Sequence, residues 1–375
     1  MDANTFLEDI ECVVNRRKNY DLINLSDWNP SIDFIQTVAS TLPSKFIQNG
    51  ISYIFSSEIN DEVKEKVKMK LGFNANKELD ISFFDSGSLS IINVIHLLSI
   101  IGIRNMAIIS PSYFSIEHIC KDYLIECHYV YLERNGLNFT LSNDYNNVLK
   151  DYQCIWITNP IYCTGIYLDA QFVEHINSLV NDENVILVID ESLSELHHFL
   201  SPKITAKQCI TIVSPHKALC TNGMKFSAIL FPSKYYQIID TWSDIISGCL
   251  SLSSLTAIHH FISFEYDEYL ICVKNLIEKN RNNVLNVLKK HQIQYDILSH
   301  SYLLSIYFSN LPYDYFDVKD NIIKFIDNTA AYFIPNSRNH FPKSTCFSFR
   351  LNMCSVSEKY LYALERAVIY LKGLN

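Results

Sequence analysis

Between about residue 80 and residue 235, short apolar runs rich in β-branched residues alternate with amphipathic stretches, and this alternation constrains the fold more than any other feature of the chain. The runs Met106–Ser110, Tyr129–Leu132, Cys154–Thr158, Val185–Asp190, Cys209–Ser214 and Phe226–Phe231 are apolar at successive positions, which marks strands buried on both faces. Between them, Ile116–Leu124 and Ala170–Asn181 carry apolar residues at helical three- and four-residue spacing. Strands of that kind joined by helices predict an α/β fold, a mostly parallel open sheet sandwiched by helices. Ligands of such sheets sit at the carboxyl ends of the strands. The stretch Leu89–Ile103 is interrupted by Asn93, His96 and Gly102 and is shorter than the ~18–20 apolar residues that span a bilayer, so it reads as a buried helix.

From Ser251 to His291 the pattern predicts one long helical region. After it, strand candidates at Tyr295–Leu298, Leu303–Phe308, Ala331–Phe333 and Cys346–Leu351 mix with helices near Asp317–Asp327 and Ser357–Lys372. This predicts a smaller α+β domain. Residues 45–250 are expected to form the large domain and residues 1–44 with 251–375 the small one. The ten prolines are scattered and there are only nine glycines, so no flexible linker separates the two.

The chain's 375 residues exceed the ~100–200 of a typical domain, which fits that division. A 48% hydrophobic content against 19% charged supplies a large core. With 31 Lys and Arg against 40 Asp and Glu, a net charge of −9 and no block of five like charges, a nucleic-acid partner is not expected; a small molecule is. The eleven cysteines include no CxxC pair and often stand in apolar runs such as Cys154-Ile-Trp-Ile157. They read as reduced core residues of a cytoplasmic protein. The first residues carry acid where an export signal needs base, and no membrane association is expected.

Segments at or near strand ends carry the chemistry: Asp85-Ser-Gly-Ser-Leu-Ser90, Thr158-Asn-Pro-Ile-Tyr-Cys-Thr-Gly165, Asp190-Glu-Ser-Leu193, and Ser214-Pro-His-Lys217 continuing to Asn222-Gly-Met-Lys225. Phe347-Ser-Phe-Arg350 lies in the smaller unit. Singly each is ordinary: a small-residue turn, an acidic helix cap, a solvated lysine, an arginine in an ion pair. The Ser86-Gly87-Ser88 turn opens an apolar helix, so its backbone N–H groups and the helix N-terminus suit an anion.

In joint order and spacing these segments resemble the fold type I pyridoxal-phosphate enzymes and, among them, the class I/II aminotransferases, a group that includes histidinol-phosphate aminotransferase. The resemblance spans roughly residues 20 to 370. It implies a pyridoxal 5'-phosphate cofactor, an α-amino acid and a 2-oxo acid as substrates, and a homodimer. By the same resemblance Lys217 is the Schiff-base lysine and proton carrier, since a primary amine can condense with an aldehyde and, once displaced, act as a base. Asp190 is the partner of the pyridinium nitrogen, whose pKa an opposite charge raises. Ser86, Gly87, Ser88, Ser214 and Lys225 correspond to the phosphate contacts, Tyr113 to the aromatic ring stacked on the cofactor, and Asn159 to the first residue of the asparagine-proline signature at the cofactor. Arg350 corresponds to the arginine holding the substrate carboxylate. Tyr53 corresponds to a tyrosine lent by a second subunit, and Trp28, in Asp27-Trp-Asn-Pro30, stands where substrate is met.

The sequence departs from the family in several places. Tyr162 replaces the asparagine that donates to the cofactor's phenolic oxygen, Cys163 replaces a proline, and Leu193 stands where many members carry a tyrosine donor. Lys225 stands where arginine is usual and keeps the charge without the fork. Two readings of Tyr162 remain open, a substitute donor to that oxygen or a wall of the substrate pocket. Other reactions at an amino-acid Cα, those of a lyase, decarboxylase, racemase or oxidase, stay open beside transamination, as does a catalytically silent scaffold. The paired histidines at 197–198 and 259–260 read as structural, and so does His216.

Overall fold

The computed structural model describes residues 54–73, 79–135, 138–141, 148–180, 185–296 and 301–374, together with Val13, residues 22–26, Ser31, Asp33 and Phe34. Trp28, Tyr53 and Cys12 lie outside the described residues.

The main sheet contains β1 (Leu79–Phe84), β2 (Asn105–Ser110), β3 (Glu126–Tyr131), β4 (Cys154–Thr158), β5 (Ile186–Glu191), β6 (Cys209–Val213) and β7 (Ser227–Pro232), in the spatial order β1-β7-β6-β5-β4-β2-β3. Neighbours from β6 through β3 pair in parallel, and β7 runs antiparallel to both β6 and β1. The helices are α1 (Asp61–Lys70), α2 (Gly87–Ile100), α3 (Ser115–Asp122), α4 (Ala170–Leu179), α5 (Tyr236–Ser247), α6 (Leu252–Ile262), α7 (Phe264–Lys290), α8 (Lys319–Thr329) and α9 (Glu358–Lys372).

Successive side chains of a strand point to opposite faces, so each central strand feeds two cores. Trp156, Val188 and Ile212 pack with Val94, Leu98 and Ile116 of α2 and α3 on one face, whereas Ile155, Ile157, Leu187 and Ile189 join Phe172 and Ile176 of α4 on the other. Every residue of β4 and β5 is buried, which is why these strands read as unbroken apolar runs. Each such Ile or Val contributes about 1.5–3 kcal/mol by leaving water. The expected buried helix is α2, and no helix among the described residues is long and apolar enough to cross a membrane.

A second, antiparallel sheet pairs Gln294–Tyr295 with β8 (Leu303–Phe308) and β8 with β9 (Phe347–Asn352). Ile23–Asn24 pairs in parallel with Ala331–Tyr332, tying an N-terminal segment to the C-terminal region.

The structure differs from expectation in five places. β1 and α5 were not anticipated. The single helical region from Ser251 is two helices, because Ser263 adopts an extended backbone and both its N–H and its hydroxyl donate to the carbonyl of His260, competing with the helical ladder. The strand expected at Tyr295–Leu298 is seen only as Gln294–Tyr295, residues 297 and 298 lying outside the described set. The cysteines are not all core residues: Cys272 is exposed on the outer side of α7, and Cys127, Cys209, Cys249 and Cys346 are half-buried.

Candidate active site

A cavity of about 280 Å³ opens where the carboxyl ends of β4, β5 and β6 meet the N-terminus of α2. Thr158 and Tyr162 enter from β4 and its loop, Asp190, Ser192 and Leu193 from β5, Lys217, Asn222 and Lys225 from the segment after β6, and Gly87, Ser88 and Ile91 from α2; Tyr113 comes from the loop after β2. The parallel sheet makes this convergence, since all these strands point their carboxyl ends the same way.

At the base of the cavity the chain leaves a cradle for an anion. Gly87 is the first residue of α2, and a Cβ placed on it would lie 3.2 Å from Ser214 Oγ and 3.5 Å from both Lys217 Nζ and Ser192 Oγ. The hydroxyls of Ser192, Ser214 and Thr158 are buried without a hydrogen-bond partner among the described residues. Leaving each so costs about 1–3 kcal/mol unless a ligand accepts from it. Free N–H groups at the start of a 14-residue helix, two lysines and three unspent hydroxyls fit a phosphate group. Ser86 contributes differently from expectation: its hydroxyl caps the helix by accepting from Leu89 N at 3.3 Å, and it does not line the cavity.

Lys217 is half-buried on a 3₁₀ turn, Pro215–Lys217, whose backbone is fixed by Lys217 N donating to Ser214 O at 3.0 Å. Burial pushes its ammonium pKa below the ordinary lysine value, with Asp190 opposing and Lys225 reinforcing that shift. The amine is thereby biased toward its nucleophilic form. Asp190, 4% exposed, is held by Ser192 N donating to Oδ1 at 3.0 Å, while its carbonyl accepts from Asn159 N at 2.9 Å.

Tyr113 is half-buried, its ring 5.5 Å from that of Tyr162. The hydroxyl of Tyr162 accepts from Arg350 Nη1 at 3.3 Å, and burial keeps the phenol protonated by pushing its pKa well up, against the pull of the guanidinium. Arg350 is 2% exposed. It also donates to Cys163 Sγ and to Ser26 O, both at 3.5 Å, and it sits behind Tyr162 instead of lining the cavity.

Asn159 does not reach the cavity, a correction to its expected place at the cofactor. Its amide donates to Glu191 Oε1 at 2.8 Å, to Ser194 Oγ and to His198 O, and its carbonyl accepts from Leu168 N. The buried Glu191 draws it away, because a carboxylate taken out of water demands donors; Leu200 N, Ser201 N and the Ser201 hydroxyl supply the others. Ser192 and Thr158 were missed in the sequence; adjacency to Asp190 and to the Thr158-Asn-Pro segment is the signal that could have found them. His216 lies outside the cavity, fully buried, its Nε2 3.2 Å from His260 Nδ1. Among the described residues no cluster of His, Cys, Asp and Glu could hold a metal ion.

An open α/β sheet with a phosphate cradle at one helix start, and a lysine and an aspartate sharing the cavity, defines a fold type I pyridoxal-phosphate enzyme; the donors around Gly87 fit the cofactor's phosphate, and the Asp190 carboxylate fits its ring nitrogen. The family model described as aminotransferase class I and II matches residues 20–366, and the chain belongs to that family of pyridoxal-phosphate-dependent aminotransferases. None of the curated protein sequences matches the chain. Solved structures share the fold at low identity. A Thermus thermophilus aspartate aminotransferase variant is 16% identical with a TM-score of 0.78, the match covering 98% of this chain and 96% of that one. An Escherichia coli protein with a methionine aminotransferase function is 14% identical with a TM-score of 0.75, covering 97% and 96%. A pyridoxal-phosphate-bound C–S lyase from Staphylococcus hominis is 18% identical with a TM-score of 0.72, covering 94% and 89%.

Proposed function

We propose that the chain moves an amino group between an α-amino acid and a 2-oxo acid, with Lys217 as the Schiff-base lysine. The observation that carries this is the single cavity shared by Lys217, Asp190 and the cradle around Gly87. When bound, the cofactor supplies an electron sink for the charge that develops at the substrate Cα.

The side chains then have separate tasks. Ser88, Ser192, Ser214 and Lys225, with the N–H groups of α2, hold the phosphate. Asp190 holds a proton on the ring nitrogen through its opposite charge. Lys217, with its lowered proton affinity, would be the base that takes the Cα proton and returns it in the 1,3-shift that transamination requires. Tyr113 covers one face of the ring and excludes water. Arg350 and Tyr162 form the carboxylate side; the Tyr162 hydroxyl accepts from Arg350 and keeps its own proton, so both readings of Tyr162 stay open.

The division into residues 45–250 and 1–44 with 251–375 is supported by the pairing of Ile23–Asn24 with Ala331–Tyr332. A cytoplasmic location is supported by the ten free thiols among the described residues. We also propose a homodimer with Tyr53 and Trp28 at the site, on the family resemblance.

Incubating the purified protein with an amino acid, with and without a 2-oxo acid, tests the reaction. Sustained turnover only when both are present is expected. Turnover on the amino acid alone would assign the chain to another reaction at the Cα, that of a lyase, decarboxylase, racemase or oxidase.

A further inference from the structure

Outside the cavity, three polar side chains from three elements meet in one cluster. Tyr129 of β3 donates its hydroxyl proton to Glu117 Oε2 of α3 at 2.8 Å, and the same hydroxyl lies 2.9 Å from Nε2 of His340. With its only proton given to Glu117, the phenol oxygen can only accept, so His340 donates from Nε2. The His340 ring stacks on Tyr129, centroids 4.0 Å apart and planes at 18°. Lys121 Nζ, 3.1 Å from Glu117 Oε1, anchors the carboxylate from the other side.

His340 belongs to the smaller unit, just after the 3₁₀ turn Asn336–Asn339, and its backbone is left-handed at φ 53°. A non-glycine residue in that region carries strain that its surroundings must hold in place. They do so at the main chain as well: Ser110 Oγ donates to His340 O at 2.5 Å and Ser112 N donates to Asn339 O at 3.2 Å. Two carbonyls of the smaller unit therefore hold positions 110 and 112, while the His340 side chain reaches position 117 through Tyr129. Tyr113, whose ring faces the cavity, lies between the held points.

We propose that His340 is a positioning residue for Tyr113: through Tyr129 and Glu117 on one side and the carbonyls of 339 and 340 on the other, it clamps the segment 110–117 and so sets where the Tyr113 ring stands at the cofactor. The proposal rests on the reading of Tyr113 as the ring-stacking residue. It makes the smaller unit a determinant of cofactor placement without a residue of its own in contact with the ring. Burial holds His340 neutral, its pKa down to about 4, and Glu117, although burial raises it, is kept ionised by the hydroxyl of Tyr129 and by Lys121, so the donor and acceptor roles persist at neutral pH.

The test uses the cofactor-loaded protein and reads the visible circular dichroism of the bound cofactor and its dissociation constant. His340→Ala and Tyr129→Phe, the latter removing one oxygen only, should each diminish the band and raise the dissociation constant about tenfold, the effect of losing one or two hydrogen bonds that hold the segment. His340→Gln, which keeps an N–H at similar reach, should restore both. Tyr113→Ala should show the same loss, and adding His340→Ala to it should add little, since one residue acts through the other. Loss in Tyr113→Ala with none in His340→Ala or Tyr129→Phe overturns the clamp and leaves the Tyr113 reading intact. No loss in any of them overturns both.

Discussion

The two sides of the cavity are built on different terms. Around Gly87 the hydroxyls of Ser192 and Ser214 are buried and unspent, as is that of Thr158 in the same cavity, and a methyl group on Gly87 would stand 3.2 Å from Ser214 Oγ. Around Arg350 the buried guanidinium already donates to Tyr162, Cys163 and Ser26. The first side is preorganised for a ligand that arrives with its own acceptors, so binding gains hydrogen bonds the protein lacks. The second is stabilised by the protein itself, so on the proposed reading a substrate carboxylate would compete with contacts already made. On the proposed reading, tight capture would fall to the cofactor side and discrimination to the substrate side.

Substitutions on each side put this contrast to the test. Lys217→Ala should reduce turnover by about 10⁴-fold or more, because one amine is both nucleophile and base. Circular dichroism should show an unchanged fold, and borohydride should no longer fix the cofactor to the protein; a label retained in Lys217→Ala and lost in Lys225→Ala would reverse the assignment.

Arg350→Ala should raise KM about 100-fold for α-amino acids and hardly at all for the corresponding amines, the scale of losing a charge-assisted contact in a buried site. Equal effects on both substrate types would move the carboxylate site elsewhere.

Acid should weaken the cofactor side from beneath. Burial, reinforced by His260, pushes His216 down to about 3 from its ordinary 6.5, so between those limits the unfolded chain binds a proton that the folded chain refuses. Stability present above pH 6.5 is therefore lost progressively as pH falls toward 3, by about 2 kcal/mol at pH 5. Urea unfolding at pH 7 and pH 5 measures it. His216→Phe should flatten that slope, and an unaltered slope would assign the loss to other groups.

Tyr162→Phe should change KM for amino acids by about tenfold, removing an acceptor that Arg350 now holds. A change confined to the cofactor's visible titration, with KM unmoved, would return Tyr162 to the cofactor side.

The smallest effect on stability, and the sharpest on the cradle, is expected from Gly87→Ala. Alanine favours a helix over glycine by about 0.5–1 kcal/mol, so the cofactor-free protein should melt no lower. Its methyl group nevertheless crowds Ser214 Oγ at 3.2 Å, and the cofactor's dissociation constant should rise about tenfold, on the order of one lost hydrogen bond. Unchanged affinity measured by calorimetry would mean that the anion sits elsewhere.

The chain's own order determined the fold class and most of the cavity. Unbroken apolar runs such as Cys154–Thr158 can only be satisfied on a sheet covered on both faces, and chain connectivity alone carries the residues just beyond each run to one edge of that sheet. Asp190, Lys217 and Tyr113 were legible for that reason, and Gly87 as part of a small-residue turn opening an apolar helix. Side-chain direction was not, because it is settled by partners distant in sequence. Glu191 turns Asn159 away from the cavity, Arg350, 188 residues on, engages Tyr162, and the crowding of Ser192 and Ser214 on Gly87 exists only once three strand ends meet. Periodicity reports which face of an element is buried; the hydrogen bond a buried polar group makes depends on what the rest of the chain brings within about 3 Å of it.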